Sequence, residues 1–506
     1  MAIRRIGTRS GGTSGTPQSG IRGTPRAGIR GTPQSGTGGT PPVRAAVRTA
    51  KMASIPVAYA GRQAAGAGKR ALGRSAADVD LEIQMRTAQH IFEVLGELKG
   101  CATKFGQLLS IYELALPEEL SRPYRTALNQ LQDSAPAMMP ATVREAMAEA
   151  MGASWQWHFR EFDDRRAAAA SIGQVHRARW RDGRQAAVKV MYPGAHAAVR
   201  NDLEQLRRVS VLATVFVPGA DVPAVIEAVC TCVTEELDYQ AEAAHQRRFA
   251  EEYADDPDFV VPGVIMQRGD VIVSEWLDGT PVPRIMESGA PEERSRVGML
   301  ILRFMLSSWV RTGLLYCDPH PGNFRVLPDG RIGVVDFGAC VPWPPAGFED
   351  LVTDVMDAAL NGDLTDIDTA LRRQGFVEPG RAYDVEPIAE GIAVVCEPLA
   401  QPEFHFTEAW LGGRVRSVLS PHLTNAHRQM TMPAYVTPFA RALLTGLGTV
   451  CQLGAQGRVR DEFARWSPQL AAVFQRADDR RDRPTDLANA RRRRDARSGR
   501  KISVVS

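Results

Sequence analysis

The sequence predicts an α+β protein of two lobes, a small mixed one followed by a larger, mostly helical one. A helical unit stands ahead of both. Three observations predict it: short β-like runs cluster between about 155 and 191, long stretches of helical periodicity follow them, and a loop-and-hairpin segment at 313–340 interrupts a helical second half. At 506 residues the chain exceeds one ordinary core, so several structural units are expected.

In residues 1–50, IRGTP occurs at 21–25 and 29–33 and TPQSG at 16–20 and 32–36. This Gly/Thr/Pro/Arg-rich register offers too little apolar surface to offset the entropy of ordering, so 1–77 is expected to be a disordered basic tail. Residues 78–150 read as a helical extension. Leu81, Met85, Ala88, Ile91, Leu95 and Leu98 form one apolar face, LKGCATKFGQLLSIYELAL continues the pattern, and ATVREAMAEAM (141–151) is a further helix after Pro117, Pro123, Pro136 and Pro140. Residues 151–282 hold the strand-like WQWHFREF, SIGQVHRARW and RQAAVKVMY, the last following the turn Asp182-Gly183. Helices over 200–216 and 224–253 come next, then strands around Val260–Ile265 and Val271–Trp276. The stretch 283–475 is the helical lobe. Residues 476–506, with their Arg491–Arg494 block, are expected to be a charged disordered tail.

Charge and cysteine usage narrow the class. The 61 basic residues nearly balance the 58 acidic ones, which leaves no field strong enough to predict a specific nucleic-acid partner. Seven cysteines without a C-x-x-C pair argue against a disulfide framework or a zinc site and for a reducing, cytoplasmic setting. No window reaches the roughly 18 apolar residues of a spanning helix. The nearest, VGMLILRFMLSSWV at 297–310, carries Arg303 and reads as a core helix. Arg4 and Arg5 have no apolar run behind them, so no secretory signal is expected.

The chemistry lies in GLLYCDPHPGNF (313–324). Asp318 and Asn323 stand five residues apart, with Pro319 and Pro321 fixing φ between them, and Asp336-Phe337-Gly338 follows at the end of a short apolar strand. Phosphoryl transfer needs cations on the phosphates, a carboxylate near the nucleophile and rigid positioning. Protein kinases meet this with an Asp-x-x-x-x-Asn loop and the metal-binding Asp of D-F-G, and the spacing here matches. Asp336 and Asn323 are the expected Mg²⁺ ligands, and Asp318 the candidate base or water-orienting group. Upstream, Ala187-Val188-Lys189 has the form of the strand whose lysine holds nucleotide phosphates. VIVSEWLDG (271–279) has the form of a strand leading into a hinge, so the backbone of Glu275, Trp276 and Leu277 is expected to meet adenine. No G-x-G-x-x-G precedes the lysine. RRAAAASIGQVHRA (165–178) stands there instead, and its alanine methyls crowd the close backbone approach that glycines allow.

The alanine-rich segment, Lys104-Phe105-Gly106-Gln107, Glu236-Leu237-Asp238-Tyr239 with Glu242, CDPHPGNF and VVDFGA occur in this order. Together they resemble the UbiB-type (AarF-like) atypical kinases over roughly residues 80–350. The resemblance implies a bilobal protein-kinase-like fold whose helical extension lies over the active site. It places Lys104, Gly106 and Gln107 where a peptide substrate would otherwise bind. It also implies ATP and Mg²⁺ as cofactors, and ATPase or small-molecule kinase activity in ubiquinone or other isoprenoid-lipid metabolism. Ala168, Ala169, Ala170, Ser171, Ile172 and Gly173 are expected to cover the nucleotide. One of Glu236 and Glu242 is expected to pair with Lys189 and the other with Lys104, the choice between them being open. Arg165-Arg166 departs from the family's apolar pattern, and no spanning helices follow the second lobe. Peripheral membrane contact through the basic tails or the 80–98 helix, and a small-molecule or lipid substrate, complete the expectation. The competing readings are a nucleotide-binding pseudokinase scaffold and a protein or small-molecule kinase of other specificity.

Overall fold

The computed structural model describes residues 137–213, 233–378, 380–418 and 433–482, most of 57–75, and single positions at 79, 82, 83, 86, 227, 230, 231 and 430. Lys104 and Gln107, the 1–50 repeats and the Arg491–Arg494 block lie outside the described residues. The expected disorder through residue 77 needs correction, because 60–71 is helical. Gly66 supplies the reason: its bare Cα takes Val79 and Ile83 so closely that a methyl there would stand 2.6 Å from Ile83 Cδ1. Glu82 then pairs with Lys69 at 2.6 Å and Arg74 at 3.1 Å.

The small lobe is a five-stranded antiparallel sheet. Its strands are β1 (Phe159–Ala170), β2 (Gly173–Trp180), β3 (Gln185–Met191), β5 (Val264–Arg268) and β6 (Val271–Glu275), ordered β1-β2-β3-β6-β5. Side chains of β3 alternate: Ala186, Val188 and Val190 are buried on one face, which puts Lys189 on the other. The first face packs against helix α1 (Pro140–Met151) through Val143, Met147 and Met151, spaced one helical turn apart. The opposite face carries Met191 and Ile272 and packs against α2 (Ala195–Ala213) through Val199 and Leu203, and against Tyr239 and Ala243.

Two expected elements differ. WQWHFREF begins with a 3-10 turn at Trp155–His158, and strand structure starts only at Phe159. The single helix expected over 224–253 is broken at 236–238, where Asp238 turns its side chain onto the Ala241 N–H at 2.9 Å and starts α3 (Tyr239–Glu252) as its N-cap.

The large lobe is built on α4 (Pro291–Thr312), whose buried Val297, Ile301, Phe304 and Met305 confirm the core-helix reading. Arg303 is not stranded there: Asp258 lies 2.5 Å away and Glu462 2.6 Å. Around α4 sit β4 (Phe259–Val260), β7 (Thr280–Pro281), β8 (Leu314–Tyr316), β9 (Phe324–Val326), β10 (Ile332–Val334) and β11 (Cys340–Pro342). β8 pairs with β11, and β9 pairs with β10, which itself runs parallel to β4. These short ladders hold the two loops carrying Asp318, Asn323 and Asp336. The last helix among the described residues, Pro468–Asp482, runs past the boundary expected at 475 because Leu470, Val473 and Phe474 seat it in the core.

Helix α3 belongs structurally to the large lobe as much as the small. Arg248 Nε donates to the Thr312 carbonyl at 2.6 Å, Tyr253 Oη meets Ser307 Oγ at 2.8 Å, and Arg311 contacts both Asp256 and the Glu252 carbonyl. Phe249 stacks into the aromatic cluster of Phe304, Tyr316 and Phe337.

Candidate active site

Lys189 leaves β3 toward α3. Its ammonium donates to Glu242 Oε1 at 2.6 Å and to Asp336 Oδ2 at 3.2 Å. The choice left open between the two glutamates is therefore decided for Lys189. Glu236 lies in the turn before the Asp238 cap, so it is off the helix, whereas Glu242 sits in the first turn of α3. The partner expected for Lys104 falls outside the described residues.

Electrostatics follow from two carboxylates around one ammonium. Burial opposes the charged lysine, yet Asp336 and Glu242 more than offset it and hold its pKa well above the ordinary value. Burial pushes Glu242, only 3% exposed, up to about 7, against the pull of Lys189 and with the repulsion of Asp336 added. Glu242 Oε2 has no hydrogen-bond partner among the described residues. With two carboxylates already around one ammonium, the pocket favours one further positive charge over a third carboxylate.

Asp336 adopts φ 68°, the single non-glycine residue in the left-handed region among the described residues. Aspartate tolerates that region through local hydrogen bonding, and Oδ1 accepts from the Gly338 N–H at 3.4 Å. Phe337 is fully buried beneath Phe249, and its carbonyl meets His245 Nδ1 at 3.2 Å. The D-F-G turn is thereby anchored on α3.

The Asp318–Asn323 loop is held from within and from below. Asn323 Nδ2 donates to the Asp318 carbonyl at 3.0 Å, and the Asn323 carbonyl accepts from the Val335 N–H at 2.9 Å, one residue before Asp336. Helix α5 (Thr437–Gln452) supports it from below: Thr449 Oγ1 donates to the Pro319 carbonyl at 2.8 Å, and a methyl on Gly446 would lie 3.2 Å from Pro319. His320 Nδ1 accepts from the Gly322 N–H at 3.2 Å, the loop-fixing role expected for a lone histidine. Burial, then the Asp318 and Asp336 carboxylates, raise the Tyr316 hydroxyl well above its ordinary pKa, so both acids face the same locality.

Those donors suit magnesium. No three His, Cys, Asp or Glu side chains among the described residues are grouped to hold a metal alone. Mg²⁺ is commonly held by one or two protein oxygens together with phosphates and waters, which is what Asp336, 31% exposed, and the Asn323 carboxamide oxygen can offer.

The alanine run is a strand end. Ala168, Ala169 and Ala170 close β1, Ser171 and Ile172 form a two-residue turn, and Gly173 opens β2 opposite Ala170. Ile172 is buried, so it anchors the hairpin instead of lining an open cover. The hinge expectation is narrowed as well. The Glu275 N–H is taken by the Gly263 carbonyl and that of Trp276 by the Gln185 carbonyl. Among the described residues only Leu277 of the three keeps an unengaged N–H. The Trp276 ring is committed too, with Nε1 on Asp278 at 2.9 Å and the Arg177 guanidinium 5.0 Å from its centre.

Two features escaped sequence reasoning. A hydrogen-bonded chain, buried at Gln174 and His176, runs from the Met138 N–H to Gln174 Oε1 (2.9 Å), from Gln174 Nε2 to His176 Nε2 (2.8 Å), and from His176 Nδ1 to the Asp163 carbonyl (2.8 Å). It ties the end of the extension to the hairpin, with the Asp163 carbonyl freed by the register shift between Phe162 and Arg166. The second is Tyr239, whose ring centre lies 5.1 Å from Lys189 Nζ. Its signal was Asp238: a cap there places Tyr239 and Glu242 three apart on one helix face.

Comparison with known proteins agrees with this geometry. The family model described as the ABC1 atypical kinase-like domain matches residues 130–371. The chain is 28% identical over 367 residues to the atypical kinase coq-8, mitochondrial, of Caenorhabditis elegans, covering 70% of this chain and 47% of that one. It is 30% identical over 316 residues to the atypical kinase COQ8, mitochondrial, of Saccharomyces cerevisiae, covering 58% and 62%. The match thus spans less than two thirds of the length of either relative. A solved structure, titled as the complex of Rv3197 with erythromycin from Mycobacterium tuberculosis, superposes with a TM-score of 0.58 at 36% identity, covering 78% of this chain and all of that one. The fold and the site define an atypical kinase-like domain of the protein-kinase-like class. This chain belongs to the ABC1, or UbiB-type, family within it.

Proposed function

We propose that the chain binds Mg²⁺ and ATP between its lobes and turns the nucleotide over as an atypical kinase or ATPase serving ubiquinone or other isoprenoid-lipid metabolism. The observation that carries the reading is Lys189 held between Glu242 and Asp336, with Asn323 tied into the same turn. Two of the three ammonium hydrogens are engaged by carboxylates, and the third is available to a phosphate oxygen. Asp336 and Asn323 would hold Mg²⁺, which neutralises charge building on the phosphates. Asp318 orients and deprotonates the attacking hydroxyl or water. Leu277 N–H meets the adenine edge, and the alanine-rich hairpin excludes water above the phosphates.

No helix among the described residues is long and apolar enough to cross a membrane. The substrate in this reading is a small molecule or lipid, reached by peripheral contact from the cytoplasmic side. The relatives' names, atypical kinase coq-8 and atypical kinase COQ8, support the kinase part, and the metabolic part rests on the resemblance to the UbiB-type family. A second reading, binding of a bulky apolar compound without turnover, draws on the macrolide in the neighbour's title.

Calorimetry and a phosphate-release assay on the full chain test both. Magnesium-dependent ATP binding and turnover, both lost in Asp336→Asn, are expected. Erythromycin binding with no magnesium-linked nucleotide uptake would replace the first reading with the second.

A further inference from the structure

Tyr239 stands where the small-lobe hairpin, α3 and Lys189 meet. It is 2% exposed, with its ring centre 5.1 Å from the Lys189 ammonium. A cation over a tyrosine ring at this range is attracted by the ring's negative face, and more strongly when water is excluded. Glu242 and Asp336 fix the same ammonium at 2.6 and 3.2 Å. On its far side Tyr239 meets the hairpin: a methyl on Gly173 would lie 2.9 Å from Tyr239 Oη and 2.4 Å from the Val190 carbonyl. The hydroxyl is buried and has no hydrogen-bond partner among the described residues, so the ring accounts for the residue's contact with the lysine.

We propose that Tyr239 is a positioning residue for Lys189: its ring is a third seat for the ammonium beside the two carboxylates, leaving one N–H direction open beneath the alanine-rich hairpin. This rests on the reading of Lys189 as a phosphate contact. The two carboxylates alone permit the ammonium to swing about the Glu242–Asp336 line. The ring closes one side of that arc, and because its far edge supports Gly173, it sets the hairpin and the lysine from a single side chain.

The test compares the full-length wild type with Tyr239→Phe and Tyr239→Leu. Three quantities are measured: MgATP affinity by calorimetry, acylation of Lys189 against pH in nucleotide-free protein by peptide mass spectrometry, and melting temperature. Phenylalanine keeps the ring and removes an unsatisfied buried hydroxyl. It should melt no lower than wild type, bind MgATP within about twofold, and leave the acylation profile in place. Leucine should weaken MgATP about tenfold, the order expected for a desolvated cation–ring contact, and should move Lys189 acylation to lower pH because the ammonium loses part of its stabilisation. Leucine matching wild type in both affinity and acylation overturns the proposal. So does phenylalanine failing as badly as leucine, which would transfer the role to the hydroxyl. A wild type that binds no nucleotide refutes the phosphate reading, and the acylation profiles then still decide whether the ring seats the lysine.

Discussion

Replacing Glu242 by glutamine separates attraction from burial in the central ion pair. Glutamine has the shape of a protonated glutamate and still offers Lys189 an acceptor oxygen. Below pH 7 the wild-type side chain is itself largely protonated, so the two proteins should be about equally stable near pH 5. A carboxyl raised by burial from 4.5 to about 7 binds more protons folded than unfolded between those values, so its contribution falls as pH rises through the window. That gap corresponds to about 3 kcal/mol, which the wild type loses and glutamine does not. Glu242→Gln should therefore be the more stable protein at pH 8.5, while nucleotide binding suffers because Lys189 is held less firmly. Glu242→Ala removes the 2.6 Å contact and leaves space beneath Lys189, and should lie about 2–3 kcal/mol below glutamine at every pH. Urea denaturation from pH 5 to 8.5 reads all three. A glutamine variant that becomes less stable than wild type as pH rises would show that attraction to Lys189 outweighs burial, and the reasoning would fail.

Other expectations concern the frame. Gly173→Ala drives a methyl to 2.4 Å from the Val190 carbonyl, backbone that cannot yield cheaply. A loss of about 2–3 kcal/mol in thermal denaturation is expected, with weakened nucleotide binding. His176 is held below its ordinary pKa by burial, so the unfolded chain takes up the proton first and wild-type stability should fall as pH drops below about 6.5. His176→Phe should flatten that acid slope in urea titrations, and be about 2 kcal/mol less stable at pH 7.5 because the Gln174 amide and the Asp163 carbonyl lose their partner. Arg303→Met takes the shared cation from Asp258 and Glu462, leaving Glu462 only the looser Arg465 at 3.8 Å, and should cost about 3 kcal/mol by chemical denaturation.

The two-lobed α+β plan and the order of the chemical residues were legible because they rest on short-range signals: strand alternation around Lys189, five-residue spacing in the proline-bound loop, and an apolar strand delivering Asp336. What stayed hidden depends on where a helix begins. Glu236 and Glu242 are equivalent candidates until Asp238 is recognised as the cap, after which only Glu242 lies on the helix. The Gln174–His176 chain joins residues from 138 to 176 across a bulge, and no periodicity marks such a contact. Helical structure at 60–71 was missed because its packing depends on the absence of a side chain at Gly66. Leu277 could be separated from Glu275 and Trp276 only once the partners of their backbone groups, Gly263 and Gln185, were known.

Bolting α3 to α4 through Arg248, Arg311 and Tyr253 has a mechanical consequence. In a bilobal enzyme whose glutamate-bearing helix pivots with the upper lobe, the lysine–glutamate contact breaks and forms as the enzyme opens and closes. Here that helix is fastened to both lobes, to the sheet through Tyr239 and Ala243 and to α4 through Arg248 and Tyr253. Movement of one lobe against the other would then break one of these two sets of contacts, so the lysine–glutamate pair is held from both sides.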